Sequence, residues 1–137
     1  METNALELIR NDQGIHVQKQ NGTDVKYFIF EEAEIHLNII KAHSIQEWHH
    51  HHKVDENILV IDGKLLCRYR DATGKEECLY AGSGDIVRVH RSIHTFENDT
   101  NKDVSFVVFR YIPDGSDKRE AIKNDKIIDK PFSKDQN

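Results

Sequence analysis

Hydrophobic and polar residues alternate with a period of two along much of this chain, and turn residues separate the alternating segments. Ile35, Leu37 and Ile39, for example, occupy every second position of one segment. Asn-Gly at 21–22 and Asp-Gly at 62–63 are strong hairpin signals. Strands are predicted at residues 15–19, 25–30, 35–40, 57–61, 64–70, 76–80, 86–89 and 104–111. Short strands at near-regular spacing, joined by glycine-bearing turns, predict an all-β sandwich or barrel.

The chain after the last predicted strand, from residue 112 onward, has no strand pattern. Pro113 and Pro131 both lie there, where they interrupt no ladder of strand hydrogen bonds. Residues 117–129 are predicted either to form one short helix, with Ile122 and Ile127 on overlapping faces, or to lie on the barrel as a charged tail. Residues 133–137 are predicted to be frayed.

Length and charge narrow the class of protein. The 137 residues fit one domain, and Lys+Arg of 19 against Asp+Glu of 24 give a formal net charge of −5. An acidic chain lacks the basic field that binding to a phosphate backbone needs, so no nucleic-acid partner is expected. No apolar run approaches the roughly 18 residues of a membrane helix, and residues 1–10 lack a signal-peptide layout. We therefore expect a soluble cytoplasmic protein that does not bind a membrane.

The chain contains two cysteines, Cys67 and Cys78. Two thiols in a chain without a signal sequence are expected to remain reduced, and their spacing is not that of a short zinc-binding pair. If residues 71–75 form a hairpin loop, the two thiols fall nearly opposite each other on neighbouring strands. They would then be close without being bonded, and we expect burial to protect at least one of them.

Four of the nine histidines are consecutive, His49 to His52. Residues two apart on a strand share a face, so the run offers two pairs, His49 with His51 and His50 with His52. Either pair supplies two imidazoles on one side of a sheet, which is half of a metal site. Glu56 follows after a short spacer, and His94 lies on a later segment, residues 92–96, that could return beside the first. The run lies inside a strand pattern and not at a terminus, so it is not interpreted as a purification tag.

The remaining histidines have weaker signals. His16, His36 and His43 have no metal-ligating partners nearby in sequence and are interpreted as ordinary strand or turn residues. His90 lies close to His94 but is expected to face outward.

Residues 47–63 resemble the first motif of the cupin superfamily. That motif has a His-x-His pair, three or four residues, a Glu, six residues and a Gly, and here Glu56 and Gly63 have the required spacing. The second motif usually has a Gly-Asp, a Pro-containing turn, a His and, after three residues, an Asn. Gly84-Asp85 begins it here, and His94 is followed by Asn98. Residues 90–92, His-Arg-Ser, depart from the family pattern at the turn. The resemblance covers about residues 34–113.

The resemblance implies the fold and the ligand set. The expected fold is a cupin-type double-stranded β-helix, a jelly-roll barrel, with a short C-terminal helix or tail. Residues 1–137 would form a single cupin domain, with a motif-bearing core at about 34–113 and a C-terminal tail at 114–137. The implied metal ligands are His49, His51, Glu56 and His94.

An alternate register replaces His49 and His51 by His50 and His52. Burial of Trp48 on the inner face would favour this alternate register. The dipeptides Trp-His at 48–49 and Asp-Glu at 55–56 match the family pattern without a gap and favour the first register.

Three imidazoles and one carboxylate leave coordination positions open on a divalent transition metal, which could be Mn, Fe, Ni, Co or Zn. The resemblance indicates a small metal-dependent enzyme of dioxygenase or isomerase type that acts on a small acidic or hydroxylated metabolite. The alternatives are a non-catalytic module that binds a metal or small molecule, and a metal-independent relative of sugar-nucleotide epimerases that uses an inward histidine for proton transfer. The catalytic residues stay unassigned, and no organic cofactor is expected.

Several strand residues are candidates for contacts at the mouth of the barrel. They are Arg68, Tyr69, Arg70, Arg88, Arg110 and Tyr111. An inward arginine would hold a carboxylate or phosphate in a bidentate grip, although outward charges on alternating strands are the simpler interpretation. Phe96, Phe106 and Val108 are predicted to be core residues. The resemblance also implies a homodimer, with the N-terminal strands as candidates for its interface.

Overall fold

The computed structural model describes residues 4–131 and consists of short strands with two short helical segments. The predicted frayed segment 133–137 lies outside these residues. A 3-10 helix covers Asn11–Gln13, and α1 covers Arg119–Asn124. The strands are β1 (Ile15–Gln18), β2 (Thr23–Ile29), β3 (Ala33–Ile40), β4 (Ser44–Ile45), β5 (Asp55–Asp62), β6 (Leu65–Arg70), β7 (Glu76–Ala81), β8 (Ile86–Arg88), β9 (Ile93–Asn98) and β10 (Val104–Tyr111).

The strands form two antiparallel sheets that face each other. One sheet has the order β1-β2-β3-β10-β5-β8 and the other the order β4-β9-β6-β7. Strands that are adjacent in space are often distant in sequence, as β10 is from β3 and β5, which is the connectivity of a jelly roll. The all-β prediction, with a short C-terminal helix, is confirmed. The sheets begin at β1, so the strands extend to the N-terminal side of residue 34.

Side chains that alternate along the strands fill the space between the sheets. Along β10, Val104, Phe106 and Val108 are buried, whereas Phe109, the next residue along the strand, is exposed. Val60 and Leu65 are fully buried as well. Burial of each such side chain contributes about 1.5–3 kcal/mol to the free energy of folding. The alternation therefore determines which face of each sheet turns inward. Phe96, Phe106 and Val108 are core residues, as predicted.

The histidine run does not lie in a strand, so this part of the prediction is wrong. His49 makes one isolated bridge to His94, and β5 begins only at Asp55. The segment between the run and β5 is held by a side chain: Nη1 of Arg91 donates to the oxygen of Val54 over 2.7 Å and Nη2 to the oxygen of Lys53 over 3.3 Å. These two backbone carbonyl groups therefore have a side-chain donor where a strand residue would have a backbone donor of a neighbouring strand.

The C-terminal segment carries the short helix, which is shorter than residues 117–129. Ile122 on α1 is 75% exposed and Ile127 beyond it is 84% exposed, so neither packs on the barrel. No helix among residues 4–131 is long and apolar enough to cross a membrane.

The two cysteines are free and lie on neighbouring strands, β6 and β7. Cys67 is directly opposite Leu79, and Cys78 is opposite Arg68. This offset of one residue places the thiols on opposite faces of the sheet: Cys67 is buried and Cys78 is exposed.

Candidate metal centre

Four side chains, three from one short segment and one from about forty residues later, meet between the two sheets. His49, His51, Glu56 and His94 each offer one ligand atom, and these atoms all lie within 4.8 Å of one another. We call this group the histidine–glutamate cluster. Its members are the first set of site residues that the sequence predicts. Glu56 is the second residue of β5 and His94 the second of β9, and the other two histidines lie in the segment that precedes β5.

The backbone brings the first and last histidines of the cluster together. The amide of His49 donates to the oxygen of His94 and the amide of His94 to the oxygen of His49, both over 2.9 Å. Their ring centroids are consequently only 4.4 Å apart. Nδ1 of His49 donates to the oxygen of Glu47 over 2.9 Å, and Nδ1 of His94 to the oxygen of Ser92 over 3.0 Å. These bonds fix the tautomers, so that Nε2 of each ring is the free ligand atom.

The cluster contains a buried nitrogen that lacks a hydrogen-bond partner among residues 4–131, Nε2 of His94. Nε2 of His51 is buried as well and lies 2.7 Å from Oε1 of Glu56. Buried polar atoms are normally satisfied, so Nε2 of His94 points to a missing partner. Three imidazoles and one carboxylate suit a divalent transition metal, and the residues therefore fit such an ion.

Burial favours the neutral form of two histidines of the cluster. It lowers the pKa of His94 below its ordinary value of 6.5, and the neighbouring His49 lowers it further. Burial also lowers the pKa of His51, in this case against the opposing effect of Glu56. Both rings are therefore mainly neutral at pH 7, which is the charge state in which an imidazole coordinates an ion.

The alternate pair, His50 and His52, is exposed and lies outside the cluster. Burial of Trp48 on the inner face would favour that register. In the structure Trp48 is only half-buried, and its ring lies 4.6 Å from the guanidinium carbon of Arg70. This cation–π contact covers the indole from outside, so Trp48 does not need the inner face.

A cavity of about 640 Å³ extends from the cluster between the two sheets. His49 and Glu56 lie at one side of it, and the further walls are mixed in polarity. The main wall residues beyond the cluster are Tyr27, His36, Asn38, Gln46, Phe106 and Arg110. A cavity of this size, apolar in part and with a few polar groups, is typical of a site for a small molecule.

Arg110 is the cationic group of this cavity that lies nearest the cluster. It lies directly opposite Glu56 on the paired strand β5 and opposite Glu34 on β3. Its Nε is 3.4 Å from Oε2 of Glu56, and its Nη1 is 3.8 Å from Oε1 of Glu34. Its Nη2 donates to Nδ1 of His51 over 3.4 Å. Among the candidate mouth residues, Arg110 is thus the arginine that reaches the cluster.

The other candidate mouth residues make contacts elsewhere. Arg68 pairs with Glu97 over 3.2 Å, and Arg88 donates to Asn57 over 3.2 Å. The hydroxyl of Tyr111 also meets Asn57, at 3.5 Å. Tyr69 borders a second, smaller cavity.

His36 is a wall residue whose position in the sequence indicated only an ordinary strand histidine. It is only 6% exposed, its Nε2 is 2.8 Å from Oε1 of Glu34, and its ring meets Tyr27 edge to face at 4.6 Å. The signal that could have identified it is the alternation along β3. His36 shares a face with Asn38 and Ile40, both of which are buried.

No family model matches the sequence, and no curated protein matches it either. Solved structures do match its fold. CapF from Staphylococcus aureus, a capsular polysaccharide assembling protein, is 21% identical, and the match has a TM-score of 0.64 and covers 73% of this chain and 28% of CapF. Oxalate decarboxylase from Lactobacillus farciminis, in a formate complex, is 17% identical, with a TM-score of 0.66 and coverage of 84% and 36%. Drosophila melanogaster CENP-C bound to CAL1 is 17% identical, with a TM-score of 0.67 and coverage of 75% and 84%.

These three proteins share the cupin fold, and the predicted cupin fold of this chain is thereby confirmed. The chain spans less than a third of the length of CapF. The neighbours differ widely in what they do, from polysaccharide assembly to binding another protein, so the fold does not determine the function.

Proposed function

Since the chain has the cupin fold, we propose that its histidine–glutamate cluster holds one divalent transition metal and that the adjoining cavity binds a small acidic or hydroxylated metabolite. The observation that supports this most directly is that the ligand atoms of the cluster lie within 4.8 Å of one another and that the buried Nε2 of His94 among them has no hydrogen-bond partner in the described residues. A buried imidazole nitrogen without a partner is costly unless an ion or ligand satisfies it. The metal would be Mn, Fe, Ni, Co or Zn, because the mixed nitrogen and oxygen set suits all five.

The proposed activity is that of a small metal-dependent enzyme of dioxygenase or isomerase type. A metal held by four protein ligands keeps open positions and would supply Lewis-acid activation of a bound oxygen. The residues of the chain would orient the substrate and exclude water around it. Phe96, Phe106 and Val108 provide the apolar part of the wall, where an unreactive part of a substrate would lie.

Arg110 supports the acidic class of ligand. A neutral imidazole has one donor and one acceptor, and Nδ1 of His51 accepts from Arg110, so the proton of that ring is on Nε2. Coordination through Nε2 would move this proton to Nδ1, and Arg110 could then no longer donate there. A donor group of the guanidinium would become available to the cavity, where a carboxylate of the ligand could accept it.

A second candidate is the metal-independent epimerase-like function, which His36 favours. Its ring is buried in the cavity wall, and Glu34 at 2.8 Å orients it, the arrangement of a histidine prepared for proton transfer. The third class, a non-catalytic module that binds a metal or a small molecule, does not need this pair.

Metal analysis of untagged protein tests the proposal. We expect about one metal per chain, and we expect His51→Gln to lose it. His52→Gln is the matched control, because His52 is exposed and only one residue away. Absence of metal from well-folded protein, even after incubation with each of the five ions, would leave the metal-independent function and a module that binds only a small molecule. If metal is bound but no metabolite of a broad panel is converted, the binding module is favoured.

We also propose that the chain forms a homodimer through the outer face of the six-stranded sheet. Leu37, Val107, Leu59 and Ile86 form one continuous row across four strands. The apolar residues of this outer face are Phe28, Ile35, Leu37, Ile39, Leu59, Ile86, Val107 and Phe109, and Lys26, Ser105 and Asn57 lie among them. Ile86 is 67% exposed, Phe109 is 42% exposed and Ile39 is 41% exposed, and a group of apolar residues exposed together in this way marks an interaction surface.

Charge supports a second copy of the chain as the occupant of this face. Asp62 and Asp24 lie beside one end of the apolar rows, and Arg88 lies at the other end. A twofold axis that crosses the strands would therefore bring acidic residues of one copy near the arginine of the other. That the N-terminal strands take part in the interface stays a prediction.

A further inference from the structure

A second cavity, of about 270 Å³, lies against the side chains of His94 and Phe96. Phe96 also borders the main cavity, so the two cavities share a wall. The strand register explains why apolar side chains line the smaller one. Cys67 lies opposite both Leu79 and Phe96, and Val87 lies opposite the buried Ile58, so all of them face the interior.

The cavity is located where the two sheets fail to close on each other. β7 is the edge strand of one sheet and β8 is the edge strand of the other. Leu79 on β7 faces inward, yet it is 42% exposed. Protein interiors are close-packed, so an inward leucine with this exposure indicates apolar space that the chain itself does not fill.

The turn at residues 90–92, which departs from the family pattern, borders this cavity. His90 has a φ of 53°, in the left-handed region that costs a residue other than glycine about 1–3 kcal/mol. The next turn residues connect the cavity to the cluster. The Ser92 hydroxyl donates to the oxygen of Val89 over 2.7 Å, and the Ser92 oxygen accepts from Nδ1 of His94.

We propose that this second cavity is a binding site for a small neutral molecule with an aromatic or branched apolar body and one hydroxyl group. A volume of 270 Å³ equals that of about nine liquid water molecules at roughly 30 Å³ each, which sets the ligand at about the size of a substituted phenol. Leu79, Val87 and Phe96 would contact the body. Tyr69 and His90 provide the polar groups with which a hydroxyl could exchange a hydrogen bond.

The two arginines that border the cavity favour a neutral ligand over an anion. Arg68 is paired with Glu97 at 3.2 Å and with Glu76 at 3.5 Å. Arg88 donates its Nε to Asn57 on the outer side of the sheet. Arg68 is thus paired with carboxylates, and the guanidinium of Arg88 turns to the outer side of the sheet, so the interior of the cavity is apolar and would not desolvate a carboxylate favourably.

The position of the cavity gives its ligand a route to the cluster. A molecule in contact with Ser92 and His94 would press on the ring that Ser92 orients. Small displacements of this ring change the geometry of the cluster, so the site would act as an effector site on His94.

Titration of the ¹⁵N-labelled protein with p-cresol, a phenol of suitable size, tests the proposal. We expect saturable shifts at the amides of Cys67, Leu79 and Val87 and at the ring signals of His94, with a Kd in the micromolar to millimolar range expected of so small a ligand. Toluene, which lacks the hydroxyl, should bind more weakly, and p-toluate, an anion, should bind least. Shifts that do not saturate, or that occur at Tyr27 and His36 instead, would overturn the assignment.

Two variants locate the site. Val87→Phe fills the cavity and should weaken binding of p-cresol at least about tenfold, whereas Ile93→Phe, at an exposed position outside the cavity and outside the proposed interface, should leave it unchanged. If Val87→Phe does not fold, Cys78→Ser provides a second measurement without any change to the cavity. In that variant p-cresol should slow alkylation of the remaining thiol, Cys67, and an unchanged rate would contradict the proposal.

The titration is performed on protein as purified and repeated after chelation. The cavity belongs to the fold and not to the metal, so p-cresol should bind in both states. Failure of the metal proposal would therefore leave this result intact, and loss of binding in both states would refute the effector site alone.

Discussion

Arg110 Nε lies 3.4 Å from Oε2 of Glu56, across the paired strands β10 and β5. The guanidinium therefore faces the one carboxylate of the histidine–glutamate cluster from inside the main cavity. Its Nε has no hydrogen-bond partner among the described residues. A half-buried guanidinium with a buried, unsatisfied donor next to a candidate metal centre is suited to hold an anionic ligand there.

Replacement of Arg110 should weaken the binding of small acids. In metal-loaded protein, Arg110→Met is expected to reduce the affinity for malonate about 10- to 100-fold, because hydrogen bonds to charged groups contribute about 1.5–3 kcal/mol. Calorimetric titration measures this, with Arg88→Met on the outer face as control. Arg110→Lys keeps the charge but not the planar fork, so it should restore only part of the affinity. Equal affinity of all three variants would rule out Arg110 as the anion site.

Metal should stabilise the folded chain by mass action. With free metal at 100 times its Kd, the gain is about 2.7 kcal/mol, which raises the melting midpoint by roughly 10 °C. Chelation should remove this gain from the wild-type protein and from His50→Ala, and His49→Ala should show no gain at all. Thermal unfolding followed by circular dichroism measures the difference. If His50→Ala loses the gain and His49→Ala keeps it, the alternate register is correct.

Replacement of Asn98, the last residue of the second motif, should lower the stability of the fold and leave metal binding unchanged. Its amide is fully buried, and its Nδ2 donates to the oxygen of Ile40 over 2.9 Å and to that of Lys102 over 2.6 Å. Asn98→Ala leaves these carbonyl groups without donors, so we expect a loss of about 2–4 kcal/mol in the free energy of unfolding. Urea titration measures it, and Asn124→Ala on the exposed α1 should change it by less than about 0.5 kcal/mol. Metal content per folded chain should be unaffected.

The sequence predicted the cluster for a physical reason that did not require a strand. His49 and His51 are two residues apart, and an extended segment places such residues on one side whether or not it belongs to a sheet. The local pattern could not predict what replaces the strand. The carbonyl groups of residues 53–54 are satisfied by Arg91, which is nearly forty residues later in sequence. The partner of His49, His94, is equally far from this segment, so neither contact can be inferred from the local pattern.

The environment of single side chains was harder to predict than the fold. Trp48 is covered by Arg70 from a neighbouring part of the surface. Its hydrophobicity therefore does not place Trp48, or His50 and His52 with it, on the inner face. His36 is buried by Tyr27 and held by Glu34, contacts that depend on the pairing of β2 with β3. Such pairings are tertiary, and period-two alternation alone indicates only which residues share a face.

The two thiols should differ strongly in reactivity. Burial raises the pKa of Cys67 to about 12, whereas Cys78 is exposed. Since the thiolate is the reactive form, Cys67 is almost entirely protonated at about pH 8 and should react slowly. Titration with a thiol reagent under reducing conditions should give one fast group per folded chain and two after unfolding. The fast group should disappear in Cys78→Ser, and two fast groups in the folded protein would contradict the burial of Cys67.

A charge placed on the outer face of the six-stranded sheet should separate the proposed dimer. Phe109 is 42% exposed and lies beside the row formed by Leu37, Val107 and Leu59, so an arginine at this position would be buried without a partner in the interface. We expect Phe109→Arg to be a folded monomer by sedimentation velocity at concentrations where the wild-type protein is a dimer. Ile122→Arg, on the exposed α1, is the control and should remain dimeric. A wild-type protein that sediments as a monomer, or a Phe109→Arg variant that stays dimeric, would exclude this face as the interface.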